Sequence, residues 1–172
     1  MIKQYIKSYK DFPIAGVDYK DTASLCASVD GFQVANDALY SELLQYMPVD
    51  KIIGIDARGF IFASVLAYRT DTPLVLARKV GKLPGKTVTR EYGLEYGRAA
   101  LEIQEDAIKQ DDRVLIIDDL VATGGTINAV IDIIDEMKAH TVCVASLIDL
   151  TFLPGSDNIR KRDIPFYAVT SY

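Results

Sequence analysis

Cysteine is scarce in this chain: two residues, Cys26 and Cys143, among 172. They match no metal-ligand spacing and form no disulfide framework. Cys143 lies in the apolar run 141–147, which reads as a reduced core thiol. Histidine is scarcer still. His140 stands alone after Lys138 and Ala139, where a helix is expected to end, and reads as an ordinary helix-end residue. Excess positive charge is missing too. The net charge of −5 argues against a general role on nucleic acid or at a membrane surface. No apolar run approaches the ~18 residues that a membrane span needs. The first thirteen residues hold no continuous apolar stretch of the kind a secretory signal carries. Together these absences point to the cytoplasm.

What remains is an ordinary globular composition, 49% hydrophobic and 25% charged, on a chain length that suits one domain, residues 1–172. Ile2, Tyr5, Ile6 and Tyr9 follow helical spacing and predict a short amphipathic helix ended near Pro13. Phe32, Ala35, Leu39, Leu43 and Tyr46 share one helical face, and Pro48 closes that run. Five strand-length apolar or β-branched runs follow, at 51–55, 73–77, 113–117, 141–147 and 165–169. The first four are apolar at nearly every position, as expected for strands covered on both faces in a parallel sheet. Ile127, Val130, Ile131, Ile134 and Met137 form a helix face between two of them. Alternation of strand and helix predicts an open α/β sheet.

The stretch 78–98 breaks this pattern. It holds four of the eleven glycines and six cations, Arg78, Lys79, Lys82, Lys86, Arg90 and Arg98, against Glu91 and Glu95. The expectation is a mobile cationic loop over 79–98, with a short β-ribbon at 87–92 and 94–96, able to act as a lid over an anion. The bland alternative is a solvated hairpin. Residues 81–87, GKLPGKT, look like a Walker loop but have three intervening residues instead of four and no preceding strand–helix junction. No GxGxxG occurs, so a dinucleotide fold is not supported.

The most informative segment is 114–126, VLIIDDLVATGGT. An apolar strand runs into Asp118 and Asp119, then a small-residue loop, then the Ile127 helix. Ligands bind at this carboxyl edge of open α/β sheets. Ala122, Thr123, Gly124, Gly125 and Thr126 would bring backbone N–H groups, two hydroxyls and a helix N-terminus to a phosphate monoester. The two acids would repel that phosphate, so they must face another part of the ligand. Adjacent ribose hydroxyls suit them, and a pentose phosphate explains both halves of the motif. Residues 52–60, IIGIDARGF, repeat the theme, with Arg58 and Gly59 at a second strand end. Arg58 is suited to bidentate phosphate contact. The alternative is a structural pair with Asp56. Two anion sites at neighbouring strand ends imply a ligand phosphorylated at both ends.

These residues resemble a known family. VLIIDDLVATGGT is similar to the phosphoribosyl pyrophosphate motif of the type I phosphoribosyltransferases. DFPIAG (11–16), ARGF (57–60), RKVGKLP (78–84), LEYG (94–97), LEI (101–103) and DAI (106–108) resemble the branch of that family that acts on adenine, in matching order and spacing over about residues 9–172. The resemblance implies an open, mostly parallel five-stranded α/β sheet flanked by helices, a small N-terminal hood within residues 1–31, a flexible catalytic loop and a homodimer. It implies transfer from phosphoribosyl pyrophosphate to adenine, giving AMP and pyrophosphate, with Mg2+ bound mainly through phosphoribosyl pyrophosphate.

Carried onto this chain, the resemblance puts the 5′-phosphate on residues 122–126 and the ribose hydroxyls on Asp118 and Asp119. Asp56, Ala57, Arg58 and Gly59 would form the pyrophosphate loop, with Lys79 and Lys82 adding charge. Arg78 would reach the partner subunit's site. Glu95 would face the purine and accept its proton, and Tyr96 would help the lid close. The hood departs from the family. Tyr19, Lys20 and Asp21 stand where Phe-Arg-Asp is expected, and Asp18 replaces an apolar residue. Tyr19 can still stack on a purine, Lys20 offers a point charge in place of a planar fork, and Asp18 could reach adenine through its backbone. The runner-up substrate is a 6-oxopurine. A nucleotide-sensing regulator is disfavoured, because the 31 residues before Phe32 are too few for a helix-turn-helix module.

Overall fold

The structure is a computed structural model, and residues 2–93 and 98–172 are described. The N-terminus corrects the sequence expectation. In place of an amphipathic helix there is one 3-10 turn at Ile2–Tyr5, then strand β1 (Lys7–Lys10), antiparallel to β2 (Asp18–Asp21). Ile2 and Ile6 are buried, but Tyr9 is exposed. Two core contacts were read as a helical period, while the ladder pairing that makes β1 a strand leaves no apolar alternation in KSYK. Lys7 faces Asp21, Lys10 faces Asp18 and Tyr9 faces Tyr19 across the hairpin. Opposite-charge and aromatic cross-strand pairs of this kind each contribute about 0.2–1 kcal/mol.

Two capped helices follow. α1 (Thr22–Cys26) starts at Asp21, whose carboxylate accepts from Ala23 N at 2.9 Å. α2 (Val29–Leu43) starts at Ser28, whose hydroxyl accepts from Gly31 N at 3.1 Å. Then come β3 (Lys51–Ile55), α3 (Gly59–Thr70), β4 (Leu74–Lys79), β5 (Thr87–Gly93), β6 (Arg98–Gln104), β7 (Arg113–Val121), α4 (Gly125–Glu136), β8 (His140–Asp149), α5 (Gly155–Arg160) and β9 (Phe166–Ser171).

The main sheet has seven strands in the order β5-β6-β4-β3-β7-β8-β9. Five of them, β4-β3-β7-β8-β9, are mutually parallel and correspond to the five apolar runs. β5 and β6 extend this centre as an antiparallel pair. The ribbon foreseen at 87–92 is thus β5, which pairs with β6 out to Gln104; the expected strand at 94–96 lies outside the described residues. His140 opens β8 instead of closing a helix, since α4 stops at Glu136 and His140 N donates to Asp112 O at 2.8 Å.

Continuous hydrophobicity in the central strands is explained by cores on both faces. Leu115 and Ile117 of β7 pack with Leu39, Phe62 and Leu66 of α2 and α3. Val114 and Ile116 pack on the opposite face with Ile127, Val130 and Ile134 of α4 and Ile159 of α5. Each such side chain, fully buried, contributes roughly 1.5–3 kcal/mol. Cys143 is buried in the first core, and burial pushes its thiol up to about 12, as an inert core residue requires.

Candidate active site at the strand ends

β7 does not stop before the two acids. Its pairing with β8 continues through Asp118–Ser146 and Val121–Asp149, so Asp118 and Asp119 are strand residues. The chain turns only at 122–124, where Gly124 takes φ 82, and α4 begins at Gly125. The predicted loop residues Ala122, Thr123, Gly124, Gly125 and Thr126, together with Asp118, line one cavity of about 90 Å³. The opening turn of α4 presents N–H groups that a helix leaves unsatisfied, at its positive end. Such an arrangement can donate hydrogen bonds to a compact anion.

The loop is braced from two sides. Asn128 Nδ2 donates to Gly124 O at 2.9 Å, and Arg162 donates to Asn128 Oδ1 at 3.3 Å while pairing with Asp132 and Asp135 at 2.7 Å each. On the other side Gly155 N donates to Ala122 O at 3.1 Å. A Cβ on Gly155 would stand 2.3 Å from that oxygen and 2.9 Å from Gly124 N. Only glycine permits this approach, so the first residue of α5 is built into the wall of the loop.

Asp119 is buried. Its Oδ2 accepts from Thr22 Oγ1 at 2.9 Å and pairs with Arg58 Nε at 2.8 Å. Asp118 is half-buried, and its Oδ1 accepts from Asp119 N at 2.8 Å. Burial, then the neighbouring Asp119 charge, holds the Asp118 carboxyl well above the usual range. Burial also raises Asp119, against the pull of Arg58 and Thr22. Gly59 lets the second strand-end loop lie on this pair, since a Cβ there would come within 2.8 Å of Ile117 O and 3.0 Å of Asp118 Oδ1.

Arg58 therefore pairs with Asp119, not with Asp56. It also donates to the Tyr19 hydroxyl and lies over the Tyr19 ring, 5.7 Å from its centroid. Tyr19 meets Phe12 edge-on at 5.2 Å. One guanidinium thus links the hood's aromatic pair to the acid pair. Lys20 is not brought to this cleft. It is buried in the hood, donates to Asp18 Oδ2 at 2.9 Å and Ser8 Oγ at 3.0 Å, and lies 4.3 Å from the centroid of the Tyr172 ring. Two of the three departures from the family pattern, Asp18 and Lys20, are each other's partners.

Asp56 joins Ala57 through a cis peptide bond and pairs with Arg78 Nε at 3.2 Å. Arg78 donates onward to Lys82 O at 3.3 Å. The side chains of Lys79 and Lys82 are exposed beside this pair. Glu95 and Tyr96 lie outside the described residues. Tyr92 and Gly93, at the end of β5, come within 3.5 Å and 3.2 Å of where a Gly125 Cβ would be, so the ribbon reaches the phosphate loop.

Four residues that brace the candidate site or its flanking loop are not singled out by the sequence: Thr22, Asn128, Gly155 and Glu102. Thr22 directly follows the Tyr19–Asp21 triplet and could have been drawn in with it. Gly155 sits in a Pro-Gly pair after a strand, a signal for a turn but not for contact with residue 122. Glu102, between Leu101 and Ile103, reads as an outward-facing strand residue, yet it is 4% exposed.

A family model described as "Phosphoribosyl transferase domain" matches residues 30–168. The adenine phosphoribosyltransferase of Marinomonas sp. is 43% identical over 171 residues, covering 99% of this chain and 94% of that protein. Among solved structures, adenine phosphoribosyltransferase from Thermoanaerobacter pseudethanolicus is similar with a TM-score of 0.92 and 36% identity, over 99% of this chain and 98% of that one. The Saccharomyces cerevisiae enzyme of that name, complexed with an imino-altritol bisphosphate and adenine, gives a TM-score of 0.92 at 31% identity, over 98% and 96% of the two chains.

Proposed function

The chain belongs to the phosphoribosyltransferase family, and within it to the adenine phosphoribosyltransferases; from that premise we propose that it is a purine salvage enzyme transferring the 5-phosphoribosyl group of phosphoribosyl pyrophosphate to adenine. The products are AMP and pyrophosphate. The observation that carries this reading is the cavity lined by Asp118 and the loop 122–126, next to which Arg58 links Asp119 to the hood's Tyr19. A ligand with a phosphate at one end, a diol in the middle and a diphosphate at the other matches that sequence of groups. The yeast relative's bound molecules, a bisphosphate and adenine, have the same character.

In this reading residues 122–126 grip the 5′-phosphate. Asp118 and Asp119 accept hydrogen bonds from the ribose hydroxyls, which requires Arg58 to leave Asp119 for the diphosphate. Displacement at the anomeric carbon passes through an oxocarbenium-like state, as in glycoside cleavage. Arg58, Lys79 and Lys82 stabilise the negative charge that grows on the departing pyrophosphate. Glu95 accepts the proton from purine N9, and Tyr96 helps to exclude water that would capture the cationic sugar. Tyr19, with Phe12 against its edge, stacks on the base.

Magnesium fits as an ion carried on the substrate. Such an ion keeps much of its water and takes oxygen ligands, which the substrate's phosphates supply. When bound, the ion offsets charge on the pyrophosphate leaving group. The enzyme is read as a homodimer. Leu74 and Leu76 are exposed on the same face of β4 as Arg78, and Ile61 and Tyr68 of α3 are exposed as well, apolar area suited to a second copy. Two unpaired cysteines fit a reducing cytoplasm.

A turnover assay with phosphoribosyl pyrophosphate, Mg2+ and a panel of purines tests the reading. Adenine is expected to react at least about a hundredfold faster than hypoxanthine, guanine or xanthine, the discrimination expected when a site's hydrogen-bonding groups are left unpaired by the wrong base. Equal or faster conversion of an oxopurine would overturn it.

A further inference from the structure

The Walker-like stretch 81–87 proves to enclose a group of the chain itself. Glu102 Oε1 accepts from Lys82 N and from Leu83 N, each at 2.9 Å, and Oε2 accepts from Thr87 Oγ1 at 3.3 Å. A carboxylate buried between Leu101 and Ile103 is costly unless such donors compensate it. Burial pushes the Glu102 carboxyl up, but the amides of Leu83, Lys82 and Gly81 and the Thr87 hydroxyl outweigh it and hold the group below its ordinary value. The loop's backbone donors are thereby spent on an internal anion, and its ammonium groups are left for an external one.

The Lys82 peptide is held from its other side as well. Its carbonyl accepts from Arg78, which is paired with Asp56 of the second strand-end loop. A continuous path therefore runs Asp56–Arg78–Lys82–Glu102. β6 also holds the ends of this loop, through Val80 N to Ala100 O at 3.3 Å and Gln104 Nε2 to Pro84 O at 3.0 Å, but Glu102 is the residue that meets the peptide carrying Lys82.

We infer that Glu102 is a positioning residue for the pyrophosphate group: it folds the loop 80–86 around its carboxylate and so sets Lys82, with Arg78, at the edge of the Asp56–Gly59 loop. The inference rests on the proposed phosphoribosyl transfer and deepens it. Glu102 touches no substrate and acts through the loop. Without it Lys82 remains on the chain, but its peptide keeps only the contact of its carbonyl with Arg78.

The test uses the full chain and its variants Glu102→Gln, Glu102→Ala, Lys82→Ala and the double variant Glu102→Gln/Lys82→Ala. Three quantities are read: KM for each substrate, calorimetric binding of pyrophosphate with Mg2+, and the melting temperature. Glu102→Ala is expected to raise KM for phosphoribosyl pyrophosphate and weaken pyrophosphate binding by about tenfold, while KM for adenine stays within about twofold. Glu102→Gln keeps an acceptor for both amides and should cost about threefold. In the Lys82→Ala background the glutamine change should cost nothing further, because its route of action is gone. Should Glu102→Ala fail to fold, the glutamine and Lys82 cycle decides alone. Unchanged pyrophosphate binding, a parallel rise in both KM values, or simple additivity with Lys82→Ala overturns the positioning role. A wild-type chain that neither converts adenine nor binds pyrophosphate instead overturns the functional reading beneath it.

Discussion

Asp118 and Asp119 are adjacent carboxylates served by one guanidinium, that of Arg58 on Asp119. The arrangement suits a diol that donates to both acids, and it leaves the empty enzyme with poorly compensated charge. The Asp118 carboxyl is raised by burial and by its neighbour. Such a group adds stability while protonated, in full below its unfolded pKa, and that contribution is lost as pH rises through the higher folded pKa. Asp118→Asn keeps the oxygen that accepts from Asp119 N and removes the charge. It is therefore expected to raise the melting temperature at pH 7–8 by about 2–4 °C, equivalent to about 1 kcal/mol, and to flatten the fall in stability between acid and neutral pH. Its turnover should drop at least about tenfold through loss of charge-assisted bonds to ribose. Thermal melts across pH and steady-state rates check both halves. A destabilised Asp118→Asn would show that the carboxylate is compensated after all.

At the level of elements, the phosphate loop is held by contacts with elements distant in sequence. β7 delivers it, α4 follows it, and α5 closes it through Gly155. With a Cβ only 2.3 Å from Ala122 O, Gly155→Ala must push α5 off the loop. The expected cost is about 1–3 kcal/mol of stability, as for other overpacked sites, and KM for phosphoribosyl pyrophosphate should rise about tenfold or more, with KM for adenine little changed. Calorimetry and the two KM values separate these effects. An unshifted KM for phosphoribosyl pyrophosphate would mean that the loop does not need α5. The ribbon β5–β6 plays the corresponding part on the opposite flank. Arg90 pairs with Glu136 of α4, and Tyr92 and Gly93 meet the start of that helix, so β5 is docked against α4 beside the loop 122–126.

For the whole molecule, the proposed dimer is tested at Arg78. Within one chain it pairs with Asp56, yet it shares a strand face with exposed Leu74 and Leu76, where a second copy would sit. If Arg78 serves the neighbouring site, mixing Arg78→Ala and Glu95→Ala subunits should restore up to about a quarter of wild-type activity, since half the dimers are mixed and one of their two sites holds both residues. No recovery despite proven subunit exchange would assign Arg78 to its own site with Asp56.

The sequence by itself determined the α/β class, the five parallel strands, the α4 face and the loop 122–126. All of these are local: a two-sided apolar run, a 3.6-residue period, or small residues directly after a strand. Arg58 and the acid pair were legible as chemistry for the same reason, because charge at a strand end has few bland explanations. Partners were not legible. Asp56 alone was weighed for Arg58, and the fold chose Asp119; Lys20 was offered to the ligand, and the fold gave it to Asp18, Ser8 and Tyr172. Nothing in Gly155 or Glu102 announces a site, because each acts on residues 15 or more positions away. The short hood strands escaped as well, since their stability comes from pairing with each other rather than from burial. Local pattern is decided by backbone sterics and hydrophobic period, which adjacent residues carry; which charge meets which is decided by distance in space, and that exists only once β3, β7 and the hood have been brought to one edge of the sheet.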